Sequence, residues 1–366
     1  MKSLRIKDIC DKGSSNLKQK DIENQNGKYP VFGASGLIGK IDTYHQNREY
    51  IAIVKDGSGI GRVSFMPAFS SVIGTLQYIL PKEGFNIKYI SYCLQSLDLA
   101  NYKQGAAIPH IYFRDYGEYV VKVEDNQKEQ QRIVEYLDTQ FAKIEALKAN
   151  AAKQLQAAKD LFQSALKDLM TPKDGWEEKK LGEMYDVRDG THDSPKYFEH
   201  GFPLVTSKNL KGGYIDMENV KRISKQDYDK INERSKVDVG DVLFAMIGTI
   251  GNATLVEEEP EYAIKNMALF KVPNNQSSKF LKYLLDSKSV LDEMHKKAKG
   301  TTQTFVSLGF LRNFTIYAPT NISEQEELVE RIDNLSSKIK ALQSNYEQTI
   351  TLCSDLKQSL LKQIFE

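Results

Sequence analysis

The chain has 366 residues and a net charge of +1, and 40% of its residues are hydrophobic and 27% charged. This composition is typical of a globular protein with room for two domains and connecting helices. It argues against a membrane protein, because no apolar run approaches about 18 residues. It also argues against a uniformly basic nucleic-acid binder, because residues 1–124 hold 16 basic against 12 acidic side chains. Binding to nucleic acid would therefore need local patches or a partner that supplies charge.

The start of the chain and its cysteines indicate a cytoplasmic protein. The segment MKSLRIKDIC lacks the apolar stretch of a signal peptide. Cys10, Cys93 and Cys353 lie far apart and form no CxxC pair. This usage fits a reducing compartment and predicts no structural zinc.

Residues 1–124 are predicted to form a mixed α/β domain with long polar loops. Its glycine-rich segments GASGLIGK and KDGSGIGRV are loops that do not match nucleotide-binding motifs. The first has one residue too many for a P-loop and ends at Ile41, where Ser or Thr should bind magnesium. The second lacks the last glycine of a dinucleotide fingerprint and a surrounding βαβ unit. Apolar runs predict three strands and one helix, at 50–55, 76–80, 119–123 and 88–97.

Residues 125–171 are predicted to form one long helix that ends before Pro172. Apolar residues recur in steps of mostly three or four, as in the a/d seam of a coiled coil. At 1.5 Å per residue, the helix would be about 60 Å long. The predicted seam is Ile133, Leu137, Ile144, Leu147, Ala151, Leu155, Ala158, Leu161, Ala165 and Leu169.

Residues 172–320 are predicted to form a second α/β domain that repeats landmarks of the first. Tyr29-Pro30-Val31 resembles Phe202-Pro203-Leu204, and Gly61 after Ile60 resembles Gly251 after Ile250. The two folds should therefore match while their polar loops differ. Strands are expected at 242–247, 267–272 and 314–317, and one helix at 278–294.

Residues 321–366 are predicted to form a second long helix, and this helix duplicates the first. Glu129 to Met170 aligns without a gap onto Glu324 to Phe365 at an offset of 195, with 16 of 42 positions identical. Because a lone helix with such a seam is unstable in water, the two helices should pair, and an antiparallel direction is favoured. The residues predicted to pair the helices are Ile133, Leu137, Ile144, Leu147, Leu328, Ile332, Ile339 and Leu342.

The predicted fold is α+β, with two α/β domains separated and joined by two long helices in an antiparallel coiled coil of pseudo-two-fold symmetry. The alternative is a pair of bundle helices inside an ordinary globular domain, but the matched length and register argue against it. The five histidines show no metal-ligand spacing. A binding role therefore fits the sequence better than catalysis.

The paired segments EQQRIVEYLDTQFAKIEAL and EQEELVERIDNLSSKIKAL, each after a variable domain, resemble the DNA specificity subunit of a type I restriction-modification system. RDGTHDSPKYFEHGFPLVTSKNLKGG resembles a common type of target recognition domain. The resemblance implies that each domain reads half of a split site on double-stranded DNA, and that the helices set the gap and dock two methyltransferase subunits. The resemblance also implies that up to two restriction subunits join the complex. S-adenosylmethionine, Mg and ATP are expected only on those partners, so this chain is expected to need no cofactor and to be no enzyme.

Residues that touch DNA should be polar and should lie on loops. Asn209 and Gln303 could pair with adenine, and Arg62 or Lys208 with guanine. For each candidate, the alternative is an ordinary solvated loop residue. The candidates are Ser35, Lys55, Ser58, Arg62, Gln104, His110 and Arg114 in the first domain, and Thr191, His192, Ser207, Lys208, Asn209, Lys211, Thr249, Asn252, Thr302 and Gln303 in the second.

Two other functions remain open from the sequence. A catalytic chain, such as a lone methyltransferase, would need a cofactor-binding βαβ domain, which is not visible. A coiled-coil interaction module with two ligand-binding domains and no DNA role is compatible with the near-neutral charge.

Overall fold

The computed structural model describes residues 1–23, 25–105, 109–298 and 304–366. The chain divides into two compact units. The first unit contains residues 1–153 together with 346–366, and the second contains residues 154–345. Within the described ranges, none of the helices combines the length and apolar character that crossing a membrane requires.

The first unit is built from three small sheets and the ends of both long helices. Its strands are β1 (Lys2–Arg5), β2 (Cys10–Ser14), β3 (Tyr29–Gly33), β4 (Gly36–Ile41), β5 (Tyr50–Val54), β6 (Val63–Met66), β7 (Ser71–Val72), β8 (Leu76–Pro81) and β9 (Val120–Val123). Its helices are α1 (Ile6–Ile9), α2 (Ile87–Ser96), α3 (Phe113–Tyr116) and the first part of α4 (Gln127–Leu169). The sheet orders are β2-β8-β5-β6, β4-β3-β7 and β1-β9, and among these strands of the described residues β3 and β7 are the one parallel pair.

The second unit repeats this topology. Its strands are β10 (Glu177–Lys180), β11 (Asp186–Asp189), β12 (Phe202–Thr206), β13 (Leu210–Lys211), β14 (Tyr214–Ile215), β15 (Lys221–Ile223), β16 (Val242–Ala245), β17 (Gly251–Leu255), β18 (Ala263–Lys265), β19 (Met267–Lys271) and β20 (Thr315–Ala318). Its helices are α5 (Leu181–Met184), α6 (Lys225–Ser235), α7 (Ser278–Asp286), α8 (Lys288–Lys297), α9 (Leu308–Arg312) and most of α10 (Ile322–Phe365). The orders β11-β19-β16-β17, β15-β12-β18 and β10-β20 match those of the first unit, including the parallel pair β12 and β18.

The predicted strands are present, but the single helix predicted for 278–294 is wrong. It divides at Ser287, whose backbone is extended (φ −67°, ψ 138°). The Ser287 hydroxyl donates to the Leu284 carbonyl at 2.7 Å, so it satisfies a carbonyl at the end of α7. The two apolar faces merge smoothly in the sequence, and no glycine or proline marks the break.

A buried glutamine fixes the start of each long helix to its own domain. The Gln130 Oε1 accepts from the Asn86 backbone N–H at 2.6 Å, and its Nε2 donates to the Glu124 carbonyl at 2.7 Å. The Gln325 side chain makes the equivalent bonds to the Ser277 N–H and the Pro319 carbonyl, both at 2.8 Å. Both side chains are fully buried. The glutamine of each repeated Glu-Gln sequence therefore attaches its helix to its own domain through the same two hydrogen bonds.

A repeated aspartate makes a second attachment about two turns further along each helix. Asp333 accepts from Lys279 Nζ at 2.8 Å and from the Tyr283 hydroxyl at 2.5 Å, both on α7. Burial opposes the ionised form of Asp333, but these hydrogen bonds outweigh it and lower the pKa of the carboxyl. Its counterpart in the first unit is Asp138, which bonds Lys88 and Tyr92 on α2.

The long helices are antiparallel within the first unit. Glu145 bonds Lys357 at 2.9 Å, and Lys148 bonds Ser354 at 3.2 Å. Three residues forward along α4 therefore correspond to three residues backward along α10. The side chains of Cys353, Leu361 and Phe365 complete the same core as Leu137 and Ile144.

The inward positions follow strict heptad steps of three and four, which differ in part from the predicted seam. In α4 they are Val134, Leu137, Phe141, Ile144, Lys148, Ala151, Leu155, Ala158, Phe162 and Ala165. Each has its counterpart 195 residues later in α10, from Val329 to Leu360, and all of these positions are buried or half-buried.

Of the eight predicted pairing residues, Leu147 and Leu342 are wrong. They are 50% and 42% exposed, because Lys148 and Gln343 occupy the heptad positions beside them. Lys148 is tolerated there because its ammonium group reaches Ser354. The other six are buried or half-buried in their units: Ile133, Leu137, Ile144, Leu328, Ile332 and Ile339.

Four leucines share one heptad position and are exposed. This position comes directly before each a position that faces the partner helix. The leucines are Leu147, Leu161, Leu342 and Leu356, and between 42% and 55% of each is exposed. In the antiparallel register, Leu147 and Leu356 lie at the same level of the first unit. Because the two helices run in opposite directions, this heptad position lies on the same side of the pair in both helices. Leu342 and Leu161 are the repeat equivalents of Leu147 and Leu356 in the second unit. We call these four residues the leucine flank.

Candidate nucleic-acid interface

Three loops of the first domain meet beside the ends of β5 and β6. Arg62 Nη1 donates to the Ala34 carbonyl at 2.9 Å, which joins the β5–β6 loop to the β3–β4 turn. The Gly57 N–H donates to the Pro109 carbonyl at 3.1 Å, which joins it to the segment before α3. Gly61 has a φ of +83°, and a Cβ there would lie 2.6 Å from the Ala100 nitrogen, so only glycine fits. These contacts bring one surface together from distant parts of the sequence.

Six of the seven candidates of the first domain lie on these loops, and Arg114 lies in the adjoining helix α3. The seven are Ser35, Lys55, Ser58, Arg62, Gln104, His110 and Arg114, and each is exposed or half-buried. Several are already engaged by acidic or aromatic neighbours. Gln104 donates to Asp115 at 2.9 Å, and the Arg114 guanidinium lies 4.6 Å from the centre of the Tyr112 ring.

His110 is held by a carboxylate that the sequence did not single out. Its Nδ1 lies 2.7 Å from Asp56 Oδ1, and its ring stacks on Tyr112 at an interplanar angle of 24°. With the Arg114 contact, the side chains at 110, 112 and 114 form a stacked series on the surface. The alternation of these residues was visible in the sequence, but the approach of Asp56 depends on the fold.

In the second domain, Asn266 connects three of the candidates. Its N–H donates to the Thr191 carbonyl at 3.1 Å, its Oδ1 lies 2.8 Å from His192 Nδ1, and its carbonyl accepts from Ser207 Oγ at 2.8 Å. Asn266 has a φ of +56°, a conformation that asparagine tolerates better than most residues. An asparagine between two apolar strands was the available sequence signal for this position.

Two further contacts fix the RDGTHDSP loop. Asp189 accepts from Arg234 at 2.7 Å and lies 2.8 Å from His192 Nε2. The Lys265 ammonium is largely buried and donates to the Asp193 carbonyl at 2.6 Å and to Ser194 Oγ at 2.8 Å. The loop is therefore held in one conformation with the His192 ring partly exposed.

A concave surface of about 500 Å³ lies next to this loop and contains four candidates, Ser207, Lys208, Asn209 and Lys211, together with Asn266. Lys208 is exposed on a short turn. Asn209 is occupied: its Oδ1 accepts from Thr206, and its Nδ2 donates to the Asp216 carbonyl, each at 2.9 Å. Pairing of Asn209 with adenine would therefore require these bonds to break. Lys211 is paired with Asp216 at 3.0 Å.

The remaining candidates differ in their surroundings. Thr249 is exposed between β16 and β17. Asn252 has a φ of +52° and donates to the Leu210 carbonyl at 3.1 Å, so its side chain supports the loop. Thr302 and Gln303 lie outside the described residues.

A family model named type I restriction modification DNA specificity domain matches residues 1–157 and 173–352. The chain belongs to this family.

The individual relatives of this specificity-domain protein are distant. It is 24% identical over 266 residues to the type I restriction enzyme EcoBI specificity subunit of Escherichia coli and 21% identical over 258 residues to the EcoKI specificity subunit of Escherichia coli K12. Each match covers 65% of this chain, and the chain spans about half the length of these relatives, 56% and 55%. A solved chain, from a study of complex assembly and conformational transition of the type I R-M system, has a TM-score of 0.73 at 16% identity. That alignment covers 98% of this chain and 96% of the solved one.

The cysteines of the specificity-domain chain lie in its apolar core. Burial raises the pKa of Cys10 and of Cys93 to about 12, so both remain thiols at neutral pH. Cys353 is also buried. In the part of the chain that the structure describes, no group of three His, Cys, Asp or Glu side chains could hold a metal ion.

Proposed function

We propose that this chain is the DNA specificity subunit of a type I restriction-modification complex, and that each domain reads one half of a gapped site. The main observation that supports this proposal is that the two domains share one topology but present different side chains on equivalent loops. Two domains that recognise different half-sites independently need the same fold and different surface side chains. Family membership supports the same conclusion.

Direct reading of DNA requires hydrogen-bonding side chains at the major-groove edges of bases, and affinity requires cations near phosphates. The first domain offers Arg62 and Lys55 on the β5–β6 loop and His110 on the joined segment before α3, and the second offers Lys208 and His192 beside Asn266. Because several cations in both domains are paired with carboxylates, this chain alone should bind DNA weakly. Partner subunits would supply further phosphate contacts.

We propose that the leucine flank docks two methyltransferase subunits. Exposed leucines at one heptad position favour an apolar partner surface, and their occurrence as one repeat-equivalent pair in each unit favours two identical partners. Up to two restriction subunits would join the same complex. S-adenosylmethionine, Mg and ATP would bind on those partners, so this chain would have no catalytic role. Such a complex would act in the cytoplasm.

The test is to purify the chain with the methyltransferase subunit encoded beside its gene and to map methylation on genomic DNA. A split motif with a fixed gap is expected. Exchange of residues 1–124 for the first domain of another family member should then change one half of the motif and leave the other half unchanged. A complex that methylates without a gapped motif, or an exchange that alters both halves, would contradict the proposal.

A further inference from the structure

The two domains share a hydrogen-bonded loop frame that the sequence does not reveal. In the first domain, Gly57 N–H donates to the Pro109 carbonyl at 3.1 Å, and Ile111 N–H donates to the Lys55 carbonyl at 2.9 Å. In the second domain, the same two bonds join 248 to 304 at 2.9 Å and 306 to 246 at 3.0 Å. Each frame also contains one isolated bridge, between 56 and 110 or between 247 and 305. Asp56 is therefore equivalent to Ile247, and His110 is equivalent to Phe305.

The side chains at these equivalent positions differ in chemistry, and both reach solvent. The side chain of His110 is 38% exposed, and 39% of the whole residue Phe305 is exposed. The first domain places a hydrogen-bonded Asp56–His110 pair in the frame, with 2.7 Å between Oδ1 and Nδ1. The second places Ile247 and Phe305 there. Phe305 does not belong to the buried apolar core of the second unit.

The Asp56–His110 pair and the Ile247–Phe305 pair suit different chemical features of a DNA base pair. Because an ionised Asp56 can only accept, His110 Nδ1 carries the proton, and Nε2 remains free of that contact. On a neutral ring, Nε2 is an acceptor, which suits the amino group of adenine or cytosine in the major groove. Phe305 has no polar atom, and an apolar side chain in the major groove contacts the thymine methyl group.

Given the proposed DNA-reading function, we propose that positions 110 and 305 contact the same place in their respective half-sites. His110, oriented by Asp56, reads an amino group of adenine or cytosine, and Phe305 contacts a thymine methyl group. One frame thus gives each half-site a different preference at an equivalent base pair. Asp56 is a positioning residue, and His110 and Phe305 are specificity-determining residues.

The experiment uses the full chain with its methyltransferase subunit and measures methylation rates on a library of duplexes in which each base of the motif is varied. His110→Phe should relax or change preference at one base pair of the first half-site, with a loss of roughly 10-fold to 100-fold on the original base. Asp56→Asn should give a smaller loss at the same base pair, and Asp56→Glu should restore part of it. The second half-site should not change.

The matched control is His45→Phe. His45 is another exposed histidine of the first domain, but it precedes β5, whereas the 55–62 loop follows that strand. This variant should keep the motif unchanged. In the second domain, Phe305→Ser should weaken selection for thymine at one base pair, whereas Phe305→Leu should retain it.

The outcomes separate the inference from the proposed function. If the wild-type complex shows a gapped motif and His110→Phe leaves both halves unchanged, only the inference fails. A uniform loss on every duplex would assign His110 to phosphate contact and would also overturn it. If the wild-type complex shows no gapped motif, the proposed function fails first. Circular dichroism of each variant with normal melting, together with an unchanged second half-site, establishes that a change in motif does not arise from unfolding.

Discussion

Replacement of Gln130 with alanine should loosen the first unit and leave the second unit intact. The Gln130 side chain is fully buried and pairs the Asn86 N–H and the Glu124 carbonyl, at 2.6 and 2.7 Å. Alanine would leave both backbone groups without these partners, at about 1–3 kcal/mol each. The opening free energy of the first unit should therefore fall by roughly 2–6 kcal/mol, towards the lower value if water enters the gap.

Hydrogen exchange followed by mass spectrometry measures this effect unit by unit. Exchange of the Asn86 amide through opening should accelerate by about 30-fold or more, since each 1.4 kcal/mol is a factor of ten. The control is Lys128→Ala, because Lys128 is exposed in the same first turn of α4 and its loss should change stability by less than about 0.5 kcal/mol. The mirror variant Gln325→Ala should instead expose the Ser277 amide. Unchanged protection of Asn86, or equal loosening of both units by Gln130→Ala, would refute the reasoning.

Three further outcomes are expected. Leu137→Asp should unfold the first unit, because Leu137 is fully buried among apolar side chains, and loss of the cooperative thermal transition would show this. Leu147→Asp should leave melting unchanged within about 0.5 kcal/mol but abolish co-purification with the methyltransferase subunit; retained assembly would reject the leucine flank as a docking surface. The lowered pKa of Asp333 contributes stability that is present above about pH 4 and lost as the pH falls through the folded value. Asp333→Asn should therefore flatten the dependence of the second unit's urea midpoint on pH between about 5 and 2, and an unchanged slope would contradict the assignment.

The positions of the two long helices could be predicted well because their signals are local. Long segments without glycine or proline and a repeated apolar pattern define α4 and α10, and short continuous apolar runs define β5 and β16. The error at Leu147 arose because apolar character was taken as the marker of the seam. At that level the heptad position is filled by Lys148, whose charge is satisfied by Ser354 across the helix pair. The contact between Lys148 and Ser354 cannot be predicted from a single sequence.

The candidate site was less predictable because its determinants are not local. Polarity and loop position were enough to select His110 and Arg62, which the fold brings to one surface. Asp56 and Asn266 were missed, since their roles depend on hydrogen bonds between segments more than 50 residues apart. Asn209 was selected as a candidate for its polarity, but its hydrogen-bonding groups are already used by Thr206 and Asp216.

The composition of the first unit has a consequence for synthesis on the ribosome. Residues 154–345 are continuous, so the second unit can form as soon as it has emerged. The first unit is made earlier but obtains Cys353, Leu361 and Phe365 only after the whole second unit has been translated. Until then its apolar face is open to chaperones or to other nascent chains. A premature stop codon after residue 345 would therefore damage the domain at the opposite end of the gene and spare the nearer one.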